Sequence, residues 1–419
     1  MSELQNGAPK PVQGVEYLNR FLDEIHEWSL TGTEPAPASR ELRYVLDCQE
    51  KRLHGFGLEM EQRIDHTEGE ITGSLAQKGA EIEARTLYRE AVRYLFVRRG
   101  GKVIFREKEP VTVYATKLDK PGYKDATCTC PNCGHEALAS SMREGCPYCG
   151  TVFEMEDAWP VFSSYYRVPG IVERSTLMPR LKRTLLTVFI VAAVVMALLF
   201  WLTGTDYDPV PRVLVSLFGG AMMGAMITFV AYLIFGFALM GKVFKEAGKS
   251  LPLLKGLRTG TKLEAAMRPF EPDFSYAYFE GRLISLLRAI AFTDDRRRLS
   301  IYEGNQDLSF LNSLVDMQYR GALELRDFRV EDGAFKVQLR AFMDDLRYEG
   351  RVRRRTESFL VTVEKDIAAG GDPGFSLHKV HCRGCGASFD ALHRKDCPYC
   401  GNPYRLLHDD WMITSIEQA

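Results

Sequence analysis

The sequence lacks an excess of charge of either sign: its 419 residues include 54 Lys and Arg against 55 Asp and Glu. This balance gives no overall reason to expect a nucleic-acid or acidic partner. The sequence also lacks a Gly-x-Ser-x-Gly element and a phosphate-binding loop. Its histidines and adjacent aspartates show no spacing typical of acid–base catalysis. These absences predict a protein that is not an enzyme and has no catalytic residue.

The N-terminal stretch MSELQNGAPKPVQG contains no signal peptide, in which basic residues precede an apolar segment. We therefore expect the N-terminus to lie in the cytoplasm. A reducing compartment favours sites in which thiolates bind a metal over disulfides.

Two long runs lack any charged residue, Leu185–Leu202 and Val213–Met240. Runs of this length are typical of membrane-spanning helices, and the alternative is a pair of buried core helices. The short loop between the runs contains two prolines, so the pair predicts a transmembrane helical hairpin over residues 184–240. Because neither run holds an ionisable residue, we interpret the hairpin as an anchor and not as a transport pathway.

Basic residues flank the hairpin on both sides. The positive-inside rule therefore places both large soluble parts, and both termini, in the cytoplasm. Gly220 and Gly224 form a Gly-x-x-x-Gly step that brings helices close together, either within the hairpin or between copies in a homo-oligomer. The flanking residues are Arg174, Arg180, Lys182 and Arg183 before the hairpin and Lys242, Lys245, Lys249, Lys255, Arg258 and Lys262 after it.

Eight of the ten cysteines form two pairs of Cys-x-x-Cys turns, and the second turn of each pair reads CPYCG. Two such turns supply the four thiolates that tetrahedral Zn²⁺ prefers, and a glycine after each turn permits its tight geometry. A thioredoxin-like redox site would need one such turn at the start of a helix, which four paired turns do not resemble. We therefore predict two structural zinc ribbons. Their ligands are Cys130, Cys133, Cys146 and Cys149 in the first and Cys382, Cys385, Cys397 and Cys400 in the second.

The region after the hairpin predicts an α+β domain. Residues 273–292 show the apolar spacing of an amphipathic helix, and a second helix is expected over residues 307–315. Strand patterns cover residues 322–330, 334–343 and 348–364, with Asp332–Gly333 at a hairpin turn.

The order of the segments DFSYAYFEGRLISLLRAI, DLSFLNSLVDMQYRGALELRDFRVEDG and FLVTVEKD resembles the Tim44-like domain. With the zinc ribbon that follows, the arrangement looks like bacterial membrane proteins that combine such a domain with zinc ribbons. The resemblance covers about residues 270–411 and implies helices on an antiparallel sheet, membrane association and binding of a protein partner or lipid. It implies a place in the bacterial plasma (inner) membrane and a role in protein translocation or in the handling of membrane proteins.

The N-terminal region predicts helices, a hairpin turning at Gly100–Gly101, a ribbon and then a Trp, which is the order found after the hairpin. We interpret it as a diverged copy of the Tim44-like region. The predicted fold class is therefore α+β, with the hairpin flanked by two soluble α+β regions that each end in a ribbon. The boundaries are 1–125 for the N-terminal region, 126–168 for ribbon 1, 184–240 for the hairpin, 241–270 for a basic juxtamembrane linker, 271–370 for the Tim44-like domain and 379–419 for ribbon 2.

The predicted function is that of a non-enzymatic membrane adaptor or scaffold that contacts the lipid bilayer and a protein partner. A first alternative is a membrane protein whose zinc ribbons bind nucleic acid, since DDRRRL at 294–299 and RVRRR at 351–355 are basic. Acidic residues near both runs and the lack of aromatic stacking residues count against it. A second alternative is an α+β cone that binds or converts a small ligand.

Overall fold

The computed structural model describes residues 15–66, 72–78, 81–120, 127–142, 145–151, 159–169, 174–203, 208–378 and 380–419. The chain divides into two units. Met1–Gly170 and Pro252–Ala419 together form one unit, called the soluble unit because it contains both regions that the sequence predicts to be soluble, and Ile171–Leu251 form the second, helical unit. The two soluble regions predicted separately from the sequence are therefore one unit in the structure.

The N-terminal half of the soluble unit contains two helices and an antiparallel sheet. The sheet order is β1-β3-β4-β7, and β2 pairs with the other end of β3 from β1. The elements are α1 (Val15–Thr31), α2 (Arg40–Gly55), β1 (Glu59–His66), β2 (Thr72–Lys78), β3 (Glu83–Arg99), β4 (Lys102–Asp119), the ribbon strands β5 (Thr127–Thr129) and β6 (Glu136–Leu138), and β7 (Val161–Pro169).

The C-terminal half repeats this connectivity. Its four-stranded antiparallel sheet has the order β8-β9-β10-β13, and the second ribbon is inserted before the last strand. The elements are α5 (Tyr276–Phe292), β8 (Leu314–Glu331), β9 (Ala334–Tyr348), β10 (Val352–Asp366), the ribbon strands β11 (Val380–His381) and β12 (Ser388–Phe389), and β13 (Met412–Gln418). A repeat predicts such shared connectivity, but a common origin of the halves stays a prediction.

Helix α5 joins the two halves. A Cβ atom on Gly281 would lie 2.8 Å from Ser164 Oγ and 3.1 Å from Thr116 Oγ1, so the missing side chain lets α5 lie directly on the N-terminal sheet. Arg52 of α2 donates to the carbonyl oxygens of Ala291 at 2.6 Å and Phe292 at 2.9 Å. Because the last carbonyls of a helix have no partner within it, this arginine caps α5 from the other half.

Both predicted hairpin turns are present. Gly100 and Gly101 have φ of 54° and 76°, and Asp332 and Gly333 have φ of 52° and 78°, as the tight turns of two-residue hairpins require. The ribbons predicted over 126–168 and 379–419 end before their last strands, because β7 pairs with β4 and β13 pairs with β10.

Two predicted segments differ in the structure. The helix expected over 307–315 is wrong: only Ser309–Leu311 form a short 3-10 turn, and strand β8 begins at Leu314. The apolar spacing there is too short to separate a helix from a strand. The linker predicted over 241–270 is helical up to Met267, and Leu263 and Met267 are buried in the core of the soluble unit.

The second unit contains α3 (Arg174–Thr203) and most of α4 (Pro209–Met267). Two segments are long and apolar enough to cross a membrane, Arg183–Thr203 with mean hydropathy 2.9 and Pro209–Leu233 with mean hydropathy 2.0. The protein buries none of the first segment and 17% of the second, whereas α5, an apolar helix of the soluble core, is largely buried. Most of the surface of the two apolar segments is therefore not covered by protein within the described residues.

The Gly-x-x-x-Gly step packs within the pair of helices. A Cβ atom on Gly220 would lie 2.7 Å from the Ala193 carbonyl oxygen, and one on Gly224 would lie 2.9 Å from the Ala193 Cα. A homo-oligomer through Gly220 and Gly224 would require these two helices to separate.

Candidate metal centres

Each Cys-x-x-Cys turn is closed by the same two backbone hydrogen bonds. In ribbon 1 the Cys130 amide donates to the His135 carbonyl at 2.8 Å, and the Gly134 amide donates to the Cys130 carbonyl at 3.0 Å. The turn at Cys146 repeats both bonds, with Thr151 and Gly150 as partners. The glycine that follows each turn has a φ between 69° and 76°, a region that residues with a Cβ atom rarely adopt.

Ribbon 2 has the same geometry. The Cys382 amide donates to Ala387 at 2.9 Å and the Cys397 amide to Asn402 at 2.9 Å. In both ribbons the first cysteine of each turn is buried and the second is exposed. The sequence therefore predicted the members of both clusters, and the structure brings all eight cysteines together in two groups of four.

The distances between sulfur atoms fit a tetrahedral metal site. Pairs across each cluster are separated by 3.7 and 3.7 Å in ribbon 1 and by 3.6 and 3.8 Å in ribbon 2. A tetrahedron with metal–sulfur bonds of about 2.3 Å has edges of about 3.8 Å. A disulfide would require about 2.05 Å. Four thiolates at these distances form a closed shell that could hold a metal ion.

Local hydrogen bonds favour the thiolate form of two ligands. The Thr151 hydroxyl lies 3.2 Å from Cys149 Sγ and lowers the pKa of that thiol to about 6. Backbone amides of Cys385 and Gly384 lower the pKa of the Cys382 thiol, also to about 6. Interactions with the other thiols of each cluster move the pKa of a second ligand the other way, to about 12 for Cys133 and for Cys400, so the shifts alone give no preference for the thiolate form of a whole cluster.

The two ribbons differ in their surroundings. Cys382 and Cys397 belong to the large core of the soluble unit, together with Phe389 and Leu406. Further hydrogen bonds hold ribbon 2 to the loop before β8. The Ser300 amide donates to the Leu392 carbonyl at 3.1 Å, and Lys395 Nζ donates to the Tyr302 carbonyl at 2.7 Å.

Ribbon 1 has a small core of its own. The buried members are Cys130, Met142 and Cys146, with Cys128 and Ala137 packed beside them. Leu138 and Tyr148 on its surface are 48% and 78% exposed. The same motif is thus part of the main core in one half and a satellite of it in the other.

Residues near the ligands do not join either cluster. Cys128 lies outside the group of four, and His381 Nδ1 lies 3.0 Å from the Ser388 hydroxyl instead. The other leftover cysteine, Cys48, lies 3.8 Å from the Thr293 hydroxyl.

The two basic runs serve different purposes. Arg296 donates to the Ile290 carbonyl at 2.8 Å and the Ala291 carbonyl at 3.2 Å, so it helps to cap α5. Arg353 and Arg355 alternate on β10 and Arg351 lies just before it; all three are exposed, as a solvated face of the sheet predicts.

A buried polar network between the two halves was missed by reasoning from the sequence. Asp316 accepts from Arg167 at 3.0 Å and from Arg93 by a short bond, and Gln49 and Arg288 extend the network. Burial alone would raise the pKa of Asp316, but Arg167 and Arg93 outweigh it and hold the pKa below its ordinary value. The only signal in the sequence was a single charge within an apolar strand pattern, as in LVDMQ.

Two small clefts lie in the described part of the soluble unit. A cleft beside ribbon 2 and another between Tyr278 and Ser164 each enclose about 20 Å³, enough for one or two water molecules.

Comparison with family models, with curated proteins and with solved structures finds no match for this chain. Evidence for a function therefore comes from the two four-cysteine clusters and the two apolar helices.

Proposed function

We propose that the chain is a membrane-anchored, non-enzymatic adaptor stabilised by two zinc ions, with a Tim44-like C-terminal region. The observation that carries this proposal is the pair of closed four-thiolate clusters, each with sulfur–sulfur distances of 3.6–3.8 Å. A catalytic zinc ion keeps an open coordination position, which four protein thiolates do not leave. The zinc ions would hold the ribbons folded, and the ribbons and sheets would bind a partner.

The anchor is the two-helix hairpin, in the plasma membrane of a bacterium. The residues before and after it, up to Gly170 and from Pro252, fold into one unit. Two parts of one compact unit must lie on the same side of a membrane, so the chain between them crosses an even number of times. Two crossings agree with this requirement, and the basic flanks favour the cytoplasmic side for both termini.

Ribbon 1 is the part of the soluble unit best suited to bind a protein partner. It keeps its own small core, and Leu138 and Tyr148 are exposed on its surface. Apolar and aromatic side chains on a zinc-stabilised module are the kind that protein interfaces use. The small cavities and the solvated arginine face of β10 give less support to the enzymatic and nucleic-acid alternatives.

The first test is metal analysis of the purified full chain, for which we expect two zinc ions per chain. Cross-linking in native membranes, followed by identification of the bound proteins, then tests the adaptor role. Translocon subunits or chaperones that are recovered with the parent chain and lost with Tyr148→Ala would support it. Tyr399→Ala is the matched control, because Tyr399 occupies the same position in ribbon 2 and is 70% exposed. Recovery of the chain alone from both samples would count against a protein partner.

A further inference from the structure

Two β-hairpin tips of the soluble unit lie side by side. One is the β3–β4 turn at Gly100–Gly101 and the other is the β9–β10 turn at residues 349–351. Arg99 Nη1 donates to the Tyr348 hydroxyl at 2.6 Å, and the Arg99 guanidinium lies 5.6 Å from the centroid of the Tyr348 ring. Arg354 and Glu107 form a short ion pair between the strands behind the tips. Residues 98–106 and 349–353 therefore form one surface, which we call the basic tip.

The basic tip carries several unpaired positive charges. Residues 98–106 include four basic side chains and no acid, and the one acid in 349–353, Glu349, pairs with Arg355 at 2.5 Å. Arg98 pairs with Glu61 at 2.6 Å, which neutralises one of them. Arg99 donates to the Tyr348 hydroxyl. Four further exposed cations of the two tips pair with no acid in the described part of the chain: Lys102, Arg106, Arg351 and Arg353.

Two aliphatic side chains project from the same tip. Val103 is 50% exposed and Ile104 is 44% exposed. A β-bulge next to Val97 pairs Arg98 with Val103, so Ile104 has no partner across the ladder. A bulge changes the direction of a side chain, and at this position the Ile104 side chain is exposed. In the described residues of the soluble unit, no other two neighbours in the sequence are both large, apolar and exposed.

We infer that the basic tip binds an anionic phospholipid bilayer, with Val103 and Ile104 entering the interface and the cations contacting head-group phosphates. Aliphatic side chains flanked by Lys and Arg are the pattern of interfacial membrane contacts. Nucleic acid fits less well, because single strands are bound by stacking on open aromatic rings. The Tyr348 ring is covered by Arg99 and Phe56. This inference rests on the proposed function, since it supposes a chain that resides at a membrane.

The closing experiment places tryptophan at the tip of the full chain. Val103→Trp is compared with Val330→Trp, a matched control at another hairpin tip, where Val330 is 43% exposed beside Glu331 and Asp332. Both variants also carry Trp201→Phe, because Trp201 lies in the first apolar segment and would itself be quenched in the bilayer. They are reconstituted in nanodiscs of phosphatidylcholine with brominated acyl chains, prepared with and without phosphatidylglycerol. Quenching of the added tryptophan in Val103→Trp, stronger with phosphatidylglycerol and absent in Val330→Trp, is expected.

Flotation with anionic vesicles tests an opposed membrane. The full chain in phosphatidylcholine nanodiscs is mixed with phosphatidylglycerol vesicles. We expect the double variant K102Q/R106Q to bind about 25-fold more weakly, since each cation near an anionic surface contributes about fivefold.

The inference is overturned if the experiments show no quenching and no flotation. Salt-sensitive retention of RNA without quenching would also overturn it. Retention of the chain in membranes after an alkaline carbonate wash measures the anchor separately. If the wash removes the chain from the membrane, the membrane anchor is refuted. The flotation experiment would still show whether the basic tip binds anionic lipid.

Discussion

The two halves of the soluble unit share one connectivity but treat their ribbons differently. In the C-terminal half, Cys382 and Cys397 are part of the main hydrophobic core. In the N-terminal half, Cys130 and Cys146 belong to a small separate cluster. Because the two metal centres have nearly the same geometry, the difference lies in what each ribbon contacts and not in its chemistry. The same motif is therefore packed into the main core in the C-terminal half and has a small core of its own in the N-terminal half.

The largest expected effect separates the two ribbons directly. Cys397→Ser removes a ligand whose turn is packed into the main core, so the loss of zinc should unfold the soluble unit. Structural zinc contributes about 10–16 kcal/mol to the folding of zinc-finger peptides, and the sheet should lose much of this stabilisation. Cys146→Ser is the equivalent change in ribbon 1 and should unfold that ribbon alone. Two measurements on the full chain test both effects: its thermal unfolding and its zinc content.

Hydrogen exchange of the two sheets gives the sharper readout. We expect Cys146→Ser to leave protection in β8, β9 and β10 unchanged while the zinc content falls from two to one per chain. Equal loss of protection in both variants would show that the ribbons play the same part, and the comparison between halves would then fail.

Much of this architecture could be predicted from the sequence. The grouping of eight cysteines into two sets of four was confirmed, because a sequence shows residue types at fixed spacing directly. That both sets bind zinc stays a prediction. The hairpin turns at Gly100–Gly101 and Asp332–Gly333 were confirmed for a similar reason, since positive φ restricts the residue type. Helix α5 was also confirmed, beginning at Tyr276 within the predicted segment 273–292.

The junction of the halves could not be predicted. Gly281 lies on Ser164, and Asp316 binds Arg167, although more than a hundred residues separate the members of each pair. Periodicity identifies the face of an element that is buried, but it does not identify the element that covers it. The different burial of the two ribbons depends on the same long-range packing, so their sequences alone look equivalent.

Asp316→Asn should produce the second largest effect, because this carboxylate holds the halves together. Removing it takes from buried Arg167 the carboxylate it pairs with and leaves buried Arg93 with Glu109 alone, and breaking a buried pair in this way costs about 3–5 kcal/mol. The folded pKa of Asp316 lies below its unfolded value near 4, so its stabilisation is complete above about pH 4 and is lost as the pH falls further. Urea unfolding of the full chain in detergent at pH 7 and at acidic pH measures both consequences.

The control for this prediction is Asp295→Asn. Asp295 pairs with Arg298 at 3.0 Å, but both side chains are exposed, so the change should cost at most about 1 kcal/mol. Equal effects of the two substitutions would show that the buried network does not join the halves.

Gly281→Ala tests the close approach of α5 to the N-terminal sheet. The new methyl group would lie 2.8 Å from Ser164 Oγ, and overpacking of this kind costs about 1–3 kcal/mol. Gly55→Ala at the end of α2 is the matched control, because a Cβ atom there meets nothing within 4 Å. It should be neutral or slightly stabilising. If the halves packed loosely, the two variants would have the same midpoint in urea.

The smallest effect is expected at Asp345, which is fully buried like Asp316 but has the opposite surroundings. Neither of its carboxylate oxygens has a hydrogen-bond partner among the described residues. Its closest cation, Arg347 at 4.0 Å, already donates to Glu357 at 2.8 and 2.5 Å. Burial raises the pKa of Asp345 well above its ordinary value.

Because the folded pKa of Asp345 exceeds its unfolded value, the folded state binds more protons, and stability falls as the pH rises from about 4 through the folded pKa. Asp345→Asn removes this titration. We expect a gain of up to about 1 kcal/mol at pH 7, since replacing an uncompensated buried charge is neutral or favourable, together with a flatter dependence of the urea midpoint on pH. A loss comparable to that of Asp316→Asn would mean that Asp345 is ionised and paired in the folded protein. The two buried aspartates would then be alike, and charge pairing would not be what distinguishes the junction of the halves from the interior of the C-terminal sheet.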